Sequence, residues 1–496
     1  MADTLLIGID AGTQSVTACA WTPEGRLAGI ASSPLTVERP RPGWAEQNPE
    51  QWTGALFEAL RETVTAIESE HVAAIGLAFQ RETFVLLDDA GRPVRPAILW
   101  LDVRAQEQAR QLGAEFGDKA YHELTGKPLD ATSAAARMLW LREHDPDRLA
   151  RASRWEDVGA ALAHALTGRH ATCPAGADTC GLVALEDADW CEALLEAAGL
   201  RTAQMPELVT PGQAIGPLTA EAAARTGLPA GTPVVAAGGD GHVFGLGMGA
   251  VQPGRTSLTL GTSIVLGVHS EQPVLRPAFR TLIGCAGGYL LECVLQAGTY
   301  LLRWFVRCHG GDEARWNRRA AAIAPGCDGL VTLPHWWGMR FPEHRPDARG
   351  VTLGWSDHHC PAHLYRSLLE GVAFELRRAL DEMAPALPHR PVPPLRVGGG
   401  GARSELWTAI LADVLEMPVR RQQHAHATAL GAAALAGVGA GLFGSPAEAV
   451  GAMTRWQAPQ TPEEGRAELY RRLYADAYVP ATRALSPLWP KLRAYC

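Results

Sequence analysis

A short apolar run, a Gly-Thr turn and a second apolar run occur twice in this chain, and each occurrence opens one half of it. Residues 5–10 lead into Ala11-Gly12-Thr13-Gln14-Ser15, after which residues 16–21 are again mostly apolar. Residues 257–260 lead into Gly261-Thr262-Ser263, followed by the apolar residues 264–268. Both read as strand, tight turn, strand. Glycine lets a backbone come close to a ligand, and the N–H groups and Thr hydroxyl that follow can face an anion. One such hairpin is equally an ordinary β-turn. Two of them predict a duplicated domain that grips the phosphates of one ligand from both sides.

Length and charge narrow the classes of function. The 496 residues suggest two to four domains or two large ones, and 47% hydrophobic with 20% charged residues is globular composition. Lys and Arg number 45 against 53 Asp and Glu, a net charge of -8. That disfavours nucleic acid as a partner, because non-specific binding needs a basic surface. It leaves a small anionic ligand open, since a few backbone N–H groups hold a phosphate without a basic patch. The Met-Ala-Asp start lacks a basic region and Asp10 interrupts the first apolar run, so no signal peptide is expected. Residues 429–444 form an uncharged run rich in Gly and Ala, too short for a membrane span, and read as a buried, closely packed helix. The ten cysteines show no CxxC pair, which fits reduced thiols in a cytoplasmic protein.

Strand and helix patterns alternate along the chain. Residues 50–68 have helical periodicity, and residues 72–79 and 83–87 read as buried strands. Helices are predicted over 133–144, 158–166 and 361–383. A buried strand at 234–237 ends at Gly238-Gly239-Asp240-Gly241, and a carboxylate at the C-terminal end of such a strand is where open α/β sheets place ligand chemistry. The strand 395–397 runs into Gly398-Gly399-Gly400-Gly401-Ala402, with a helix from Ser404. This run does not fit GxxxxGK[ST] and lacks the context of a dinucleotide fingerprint. It reads as a packed turn that admits a ligand closely, or as a flexible loop.

Taken together these segments resemble the FGGY carbohydrate kinase family over essentially the whole chain. Gly8 to Ser15 resembles its first phosphate hairpin, and Leu260-Gly261-Thr262-Ser263 its second. Trp100-Leu101-Asp102-Val103-Arg104 resembles its W-x-D-x-R sugar segment. Residues 231–240 resemble its catalytic strand, and Gly399-Gly400-Gly401-Ala402-Arg403-Ser404 its adenosine loop. Most of the pattern is nearest to the xylulokinases, whereas Gln80-Arg81-Glu82-Thr83 is similar to the Q-R-E-T of glycerol kinases. The resemblance implies an α/β protein with the two-domain, actin-like ATPase fold, each domain ribonuclease-H-like, over residues 1–245 and 246–496. It implies ATP and Mg²⁺ as cofactors, a small sugar or polyol as partner, and room for a homodimer. D-Xylulose is the expected acceptor, with glycerol or another short polyol as the alternative. A nucleotide-dependent binding protein or a catalytically degenerate sugar sensor is the alternative from another class. The chain departs from the family pattern at Thr17, Gly241 and Arg137.

Phosphoryl transfer to an alcohol needs an oriented nucleophile, neutralised phosphate charge and a base for the hydroxyl proton. The resemblance gives the base to Asp240, with a turn cap as the alternative. Asp10, with Asp240, is the candidate Mg²⁺ site, or else a structural carboxylate. Gly12, Thr13, Gln14, Gly261 and Thr262 are the expected phosphate contacts, and Gly399, Gly400, Gly401, Ala402 and Ser404 the adenosine contacts. Gln80, Arg81, Glu82, Trp100, Asp102 and Asp240 are the candidate acceptor residues. Against these stand a surface salt bridge for Arg81 and Glu82, core packing for Trp100, and a local turn or cap role for Asp102.

Overall fold

The computed structural model describes residues 4–343, 345–493 and 495, so the Met-Ala-Asp start and Cys496 lie outside it. Two six-stranded sheets carry the fold. The first contains β1 (Leu5–Ala11), β2 (Ser15–Trp21), β3 (Leu27–Pro34), β4 (Val72–Phe79), β5 (Ala214–Pro217) and β6 (Pro233–Gly239), in the order β5-β6-β4-β1-β2-β3. The second contains β7 (Arg255–Leu260), β8 (Ile264–Ser270), β9 (Arg280–Ile283), β10 (Tyr289–Leu295), β11 (Val392–Gly398) and β12 (Val419–Arg421), in the order β9-β10-β8-β7-β11-β12.

Without the edge strands β5 and β9, the two sheets share one topology. Each has three antiparallel strands, and two further strands lie parallel to the first. The repeated hairpin of the sequence is the β1–β2 turn in one sheet and the β7–β8 turn in the other. The parallel strands β4 (VAAIGLAF) and β6 (PVVAAGG) are buried almost throughout, as sequence runs without polar alternation require.

Helix α1 (Glu50–Val64) packs on β2 and β3, and α2 (Asp240–Gly247) leads from the first sheet toward the second. Helix α3 (Pro361–Met383) has the predicted bounds but is buried on nearly all sides. Its buried charges are paired: Arg366 with Glu370 at 2.7 Å and Arg378 with Glu375 at 2.8 Å. Helix α4 (Glu405–Leu415) follows the glycine run.

Helix α5 (Ala427–Gly439) accounts for the Gly- and Ala-rich run, although it stops at Gly439 and not at 444. It is reached from the second sheet yet lies on the first. A Cβ on Gly8 of β1 would stand 1.8 Å from the Ala429 carbonyl oxygen, and one on Gly76 of β4 would stand 1.9 Å from that of Ala432. Helices α2 and α5 cross with equal intimacy, since a Cβ on Gly247 would stand 1.9 Å from the Ala427 oxygen. Backbone rests on backbone at these seats, so the two halves are joined through glycine. Among the described residues, nine cysteines are free and no helix is long and apolar enough to cross a membrane.

Candidate functional site

Strand register builds the site. Ala11 of β1 pairs with Phe79 of β4, and Phe79 pairs with Gly239 of β6. The three parallel strands therefore end at one level. Asp10, the Gln80-Arg81-Glu82 turn and Asp240 share that C-terminal edge, the usual place for ligand chemistry in a sheet with parallel strands.

Asp240 opens α2. Its Oδ1 accepts the Gly241 N–H at 2.7 Å and lies 3.3 Å from Nε of Arg81. Burial pushes its pKa up, against the pull of the Arg81 guanidinium and the Gly241 amide. Asp10 is pushed up to about 7, first by burial and then by the charge of Asp240, with a hydrogen bond to Thr428 pulling the other way. Two neighbouring carboxylates that resist joint ionisation are a place where a divalent cation relieves the charge.

Arg81 and Glu82 do not form a surface salt bridge, because their side chains are only 11% and 6% exposed. Each is paired across to the second half of the chain. Arg81 Nη1 donates to Glu292 Oε2 at 2.9 Å, and Arg280 donates to Glu82 Oε1. Arg280 and Glu292 are directly opposite on β9 and β10, with Nε to Oε1 at 3.0 Å. Burial pushes Glu292 up, but the Arg280 and Arg81 guanidiniums outweigh it and hold its carboxyl well below the usual range. Sequence reasoning missed Arg280 and Glu292. The signal was an isolated charge in each of two otherwise uncharged strands, RTLI and YLLECVL.

The departure at Gly241 now has a physical reason. Arg81 lies over the Gly239-Asp240-Gly241 turn, so a Cβ on Gly241 would stand 2.7 Å from Arg81 Nη2, and one on Gly239 2.6 Å from Cγ and Cδ. Gly241→Ala should fold, because the end of an arginine can swing aside. It should also displace the guanidinium from Asp240 and cut acceptor kcat/KM by about one order of magnitude, the scale of one charge-assisted hydrogen bond. Steady-state kinetics at saturating nucleotide check this; unchanged acceptor kinetics would separate Arg81 from the acceptor. The departure at Arg137 is structural. Its buried guanidinium donates to the carbonyls of Ile98 at 3.0 Å and Leu99 at 3.1 Å, and to those of Glu82 and Thr132. It thereby braces Glu82, whose φ of 61° lies in the left-handed region. The Thr17 hydroxyl is 3.0 Å from that of Ser32.

Several residues take other roles than those expected. Asp102 is fully buried; it accepts from the Ala45 N–H at 2.7 Å and the Arg104 N–H at 2.9 Å, and grips the Arg104 guanidinium with both oxygens. Its lone pairs are committed, so it holds the local turn and is not a hydroxyl acceptor. Gly12 N–H closes the hairpin on the Ser15 carbonyl at 3.0 Å and is not free for phosphate. The Thr13 hydroxyl donates to Gln80 Oε1 at 3.1 Å and accepts from Trp100 Nε1 at 2.8 Å. Gln80 is buried, accepts also from the Thr83 hydroxyl at 3.3 Å, and donates to Gln47 at 3.3 Å. Gln80 thus braces the first hairpin, and half-buried Trp100 ties the W-x-D-x-R segment to it. Gln14 is exposed at the hairpin tip.

In the second hairpin Thr262 is exposed, and the Gly261 carbonyl accepts the Thr299 N–H at 2.8 Å. The glycine run adjoins this hairpin. Gly399 has φ 86° and its Cβ would stand 2.8 Å from the Leu260 oxygen, while a Cβ on Gly401 would meet Trp407 at 2.7 Å. Only Gly400 of these three has room, the nearest atom being Arg403 Nη2 at 3.8 Å. Ala402 is buried. Ser404 accepts the Trp407 N–H at 3.1 Å as the cap of α4 and donates to Asn317 at 2.8 Å. Its hydroxyl therefore serves the helix.

Comparison with known proteins bears on this arrangement. Residues 5–247 match the N-terminal domain of the FGGY family of carbohydrate kinases, and residues 256–440 match its C-terminal domain. The chain is 32% identical to the xylulose kinase of Escherichia coli (strain K12) over 417 residues, covering 83% of this chain and 84% of that one. It is 31% identical to the glycerol kinase of Methylibium petroleiphilum over 497 residues, covering 95% and 98%. The crystal structure of xylulose kinase from Rhodospirillum rubrum superposes with a TM-score of 0.90 at 30% identity, covering 98% of this chain and 99% of that one.

Proposed function

This chain belongs to the FGGY family of carbohydrate kinases and has its actin-like ATPase fold, and on that premise we propose that it transfers the γ-phosphoryl group of ATP to D-xylulose, forming D-xylulose 5-phosphate. The observation that carries this reading is the convergence of Asp10, Asp240 and the Arg81-Glu82 turn on one sheet edge. Asp240 accepts the proton of the attacking hydroxyl, whose oxygen forms the new bond to phosphorus as ADP leaves. Asp10 and Asp240 would hold Mg²⁺, which when bound neutralises phosphate charge. The N–H groups at the two hairpin tips, Thr13-Gln14 and Gly261-Thr262, hold phosphate oxygens from opposite sides. Trp100 forms a wall for the sugar carbons.

The adenosine reading rests on Gly400. A Cβ there would have Arg403 Nη2 at 3.8 Å as its nearest protein atom, the end of a flexible side chain, so Gly400→Val should leave the thermal midpoint nearly unchanged. It should raise the KM for ATP several-fold more than the KM for the acceptor. An unchanged ATP KM moves the adenosine site elsewhere.

A short polyol such as glycerol is the second reading, favoured by the charged Arg81-Glu82 pair and the glycerol kinase relative. ADP release measured over pentuloses, pentitols, tetritols, glycerol and hexoses separates the two. D-Xylulose should give the highest kcat/KM; glycerol in first place would replace it.

A further inference from the structure

Three arginines of the second sheet stand together without a carboxylate. Arg255 opens β7, and Arg396 of β11 is opposite Arg420 of β12 in the parallel register. The guanidinium carbons of Arg396 and Arg420 lie 4.9 Å and 5.7 Å from the ring centre of Trp456. All three arginines and Trp456 are half-buried. Among the described residues none of the three forms an ion pair. This sets them apart from Arg366, Arg377 and Arg378 in the same half, each of which answers a glutamate.

The group is an uncompensated positive site. Burial first, and then the charges of Arg255 and Arg420, pull the Arg396 pKa down to about 10, with no acid to offset them. A guanidinium presents five N–H donors, and protein carbonyls take only some of these. Arg255 Nη1 donates to the Pro393 carbonyl at 2.7 Å, and Arg420 Nε to that of Gln457 at 3.2 Å. Arg396 Nη1 donates to the carbonyls of Met248, at 2.9 Å, and Gly249. Among the described residues Nε and Nη2 of Arg255 and Arg396, and both Nη atoms of Arg420, have no protein partner. None of these atoms is sealed from solvent.

The complement of such a site is an anion with several acceptor oxygens. Phosphate meets guanidinium forks through pairs of parallel hydrogen bonds, and it has more oxygens to share among three forks than a carboxylate has. The half-buried setting around one indole suits a single phosphoryl group better than an acidic chain laid over an exposed face. The place is not the catalytic cleft. Arg255 is the first residue of β7 and the Gly261-Thr262 hairpin follows its last, on the order of 17 Å away along an extended strand.

We propose that Arg255, Arg396 and Arg420 form an anion site outside the catalytic cleft that binds a phosphoryl group, as inorganic phosphate or as a phosphomonoester. The site does not depend on which acceptor the chain phosphorylates.

The test titrates inorganic phosphate into the full chain by calorimetry at constant ionic strength, with the cleft filled by Mg²⁺ and a non-hydrolysable ATP analogue. Arg396 also holds the carbonyls that end α2, so it is left intact. Wild type should bind a single phosphate. Arg255→Gln and Arg420→Gln should each weaken that binding by about 10-fold or more, the loss of one charge-assisted hydrogen bond. The double variant should show no binding. Arg420→Lys keeps the charge and loses the fork, and should fall between. The ATP KM should be unchanged in every variant. Phosphate should also raise the wild-type thermal midpoint and leave that of the double variant where it is.

The same titration with D-xylulose 5-phosphate, read as the difference between wild type and double variant, separates the two ligands. Tighter binding of the ester assigns the site to a sugar phosphate, and tighter binding of phosphate assigns it to the free ion. A wild type that binds neither anion with the cleft filled, or a double variant of wild-type affinity, overturns the proposal.

Discussion

Asp240→Asn is expected to keep its fold and its affinity for nucleotide while kcat falls by about 10²- to 10⁴-fold, the usual loss on removing a general base. The substitution is nearly isosteric, and the Asn oxygen can still accept the Gly241 N–H that now bonds Asp240 at 2.7 Å. What disappears is a basic oxygen for the acceptor's proton. Burial raises the Asp240 pKa despite the Arg81 guanidinium. The base is protonated below that raised value, so wild-type kcat should fall as pH drops through a midpoint above the ordinary carboxylate range. The variant's residual rate should lack that acidic limb. A pH–rate profile on purified protein reads both effects, and near-normal turnover in Asp240→Asn would remove the residue from the proton transfer.

Glu292→Ala is expected to cost about 3–5 kcal/mol of stability, the scale on which breaking a buried ion pair leaves uncompensated charge. Here two guanidiniums lose a partner together. Arg81 is 11% exposed and Arg280 4%, and Glu292 answers both. The cluster also joins the halves of the chain, so the loss should appear as a lower denaturation midpoint and a higher acceptor KM, with Arg81 no longer held beside Asp240. The pH dependence has a definite sign. Arg280 and Arg81 outweigh burial and depress the Glu292 pKa, so the wild-type contribution is present above its ordinary value of 4.5. It is lost as pH falls through the lower folded value. Denaturant unfolding between pH 5.5 and pH 7 should show the variant's deficit at full size, and the deficit should shrink as pH falls below 4.5. A deficit below about 1 kcal/mol, as for an exposed pair, would mean that Glu292 does not carry the two arginines.

The sequence by itself determined those features whose chemistry is local. Both Gly-Thr hairpins, the buried strand ending at Asp240, the glycine run before α4 and the helix over 361–383 follow from turn residues, apolar runs and helical periodicity. The duplicated topology was legible because each half repeats the same local order of elements. Asp10 and Asp240 stood out because a carboxylate at the end of an apolar strand has no reason to be there unless a ligand or cap meets it.

The tertiary structure decided which atoms meet. Arg81 and Glu82 read equally as acceptor contacts or a surface pair, because their partners, Arg280 and Glu292, lie 198 and 211 residues further along the chain. No local pattern encodes a pairing of that range. Asp102, Gly12 and Ser404 were placed at the site by motif, yet hydrogen bonds to Arg104, Ser15 and Trp407 absorb their capacity. Motif position fixes where a residue sits, and only the surrounding donors and acceptors fix what remains free for a ligand. Composition marked α5 as closely packed, but only the fold laid it on the first sheet, where Gly8 and Gly76 leave no space for a side chain. Glycine records that something approaches; what approaches is set by long-range packing.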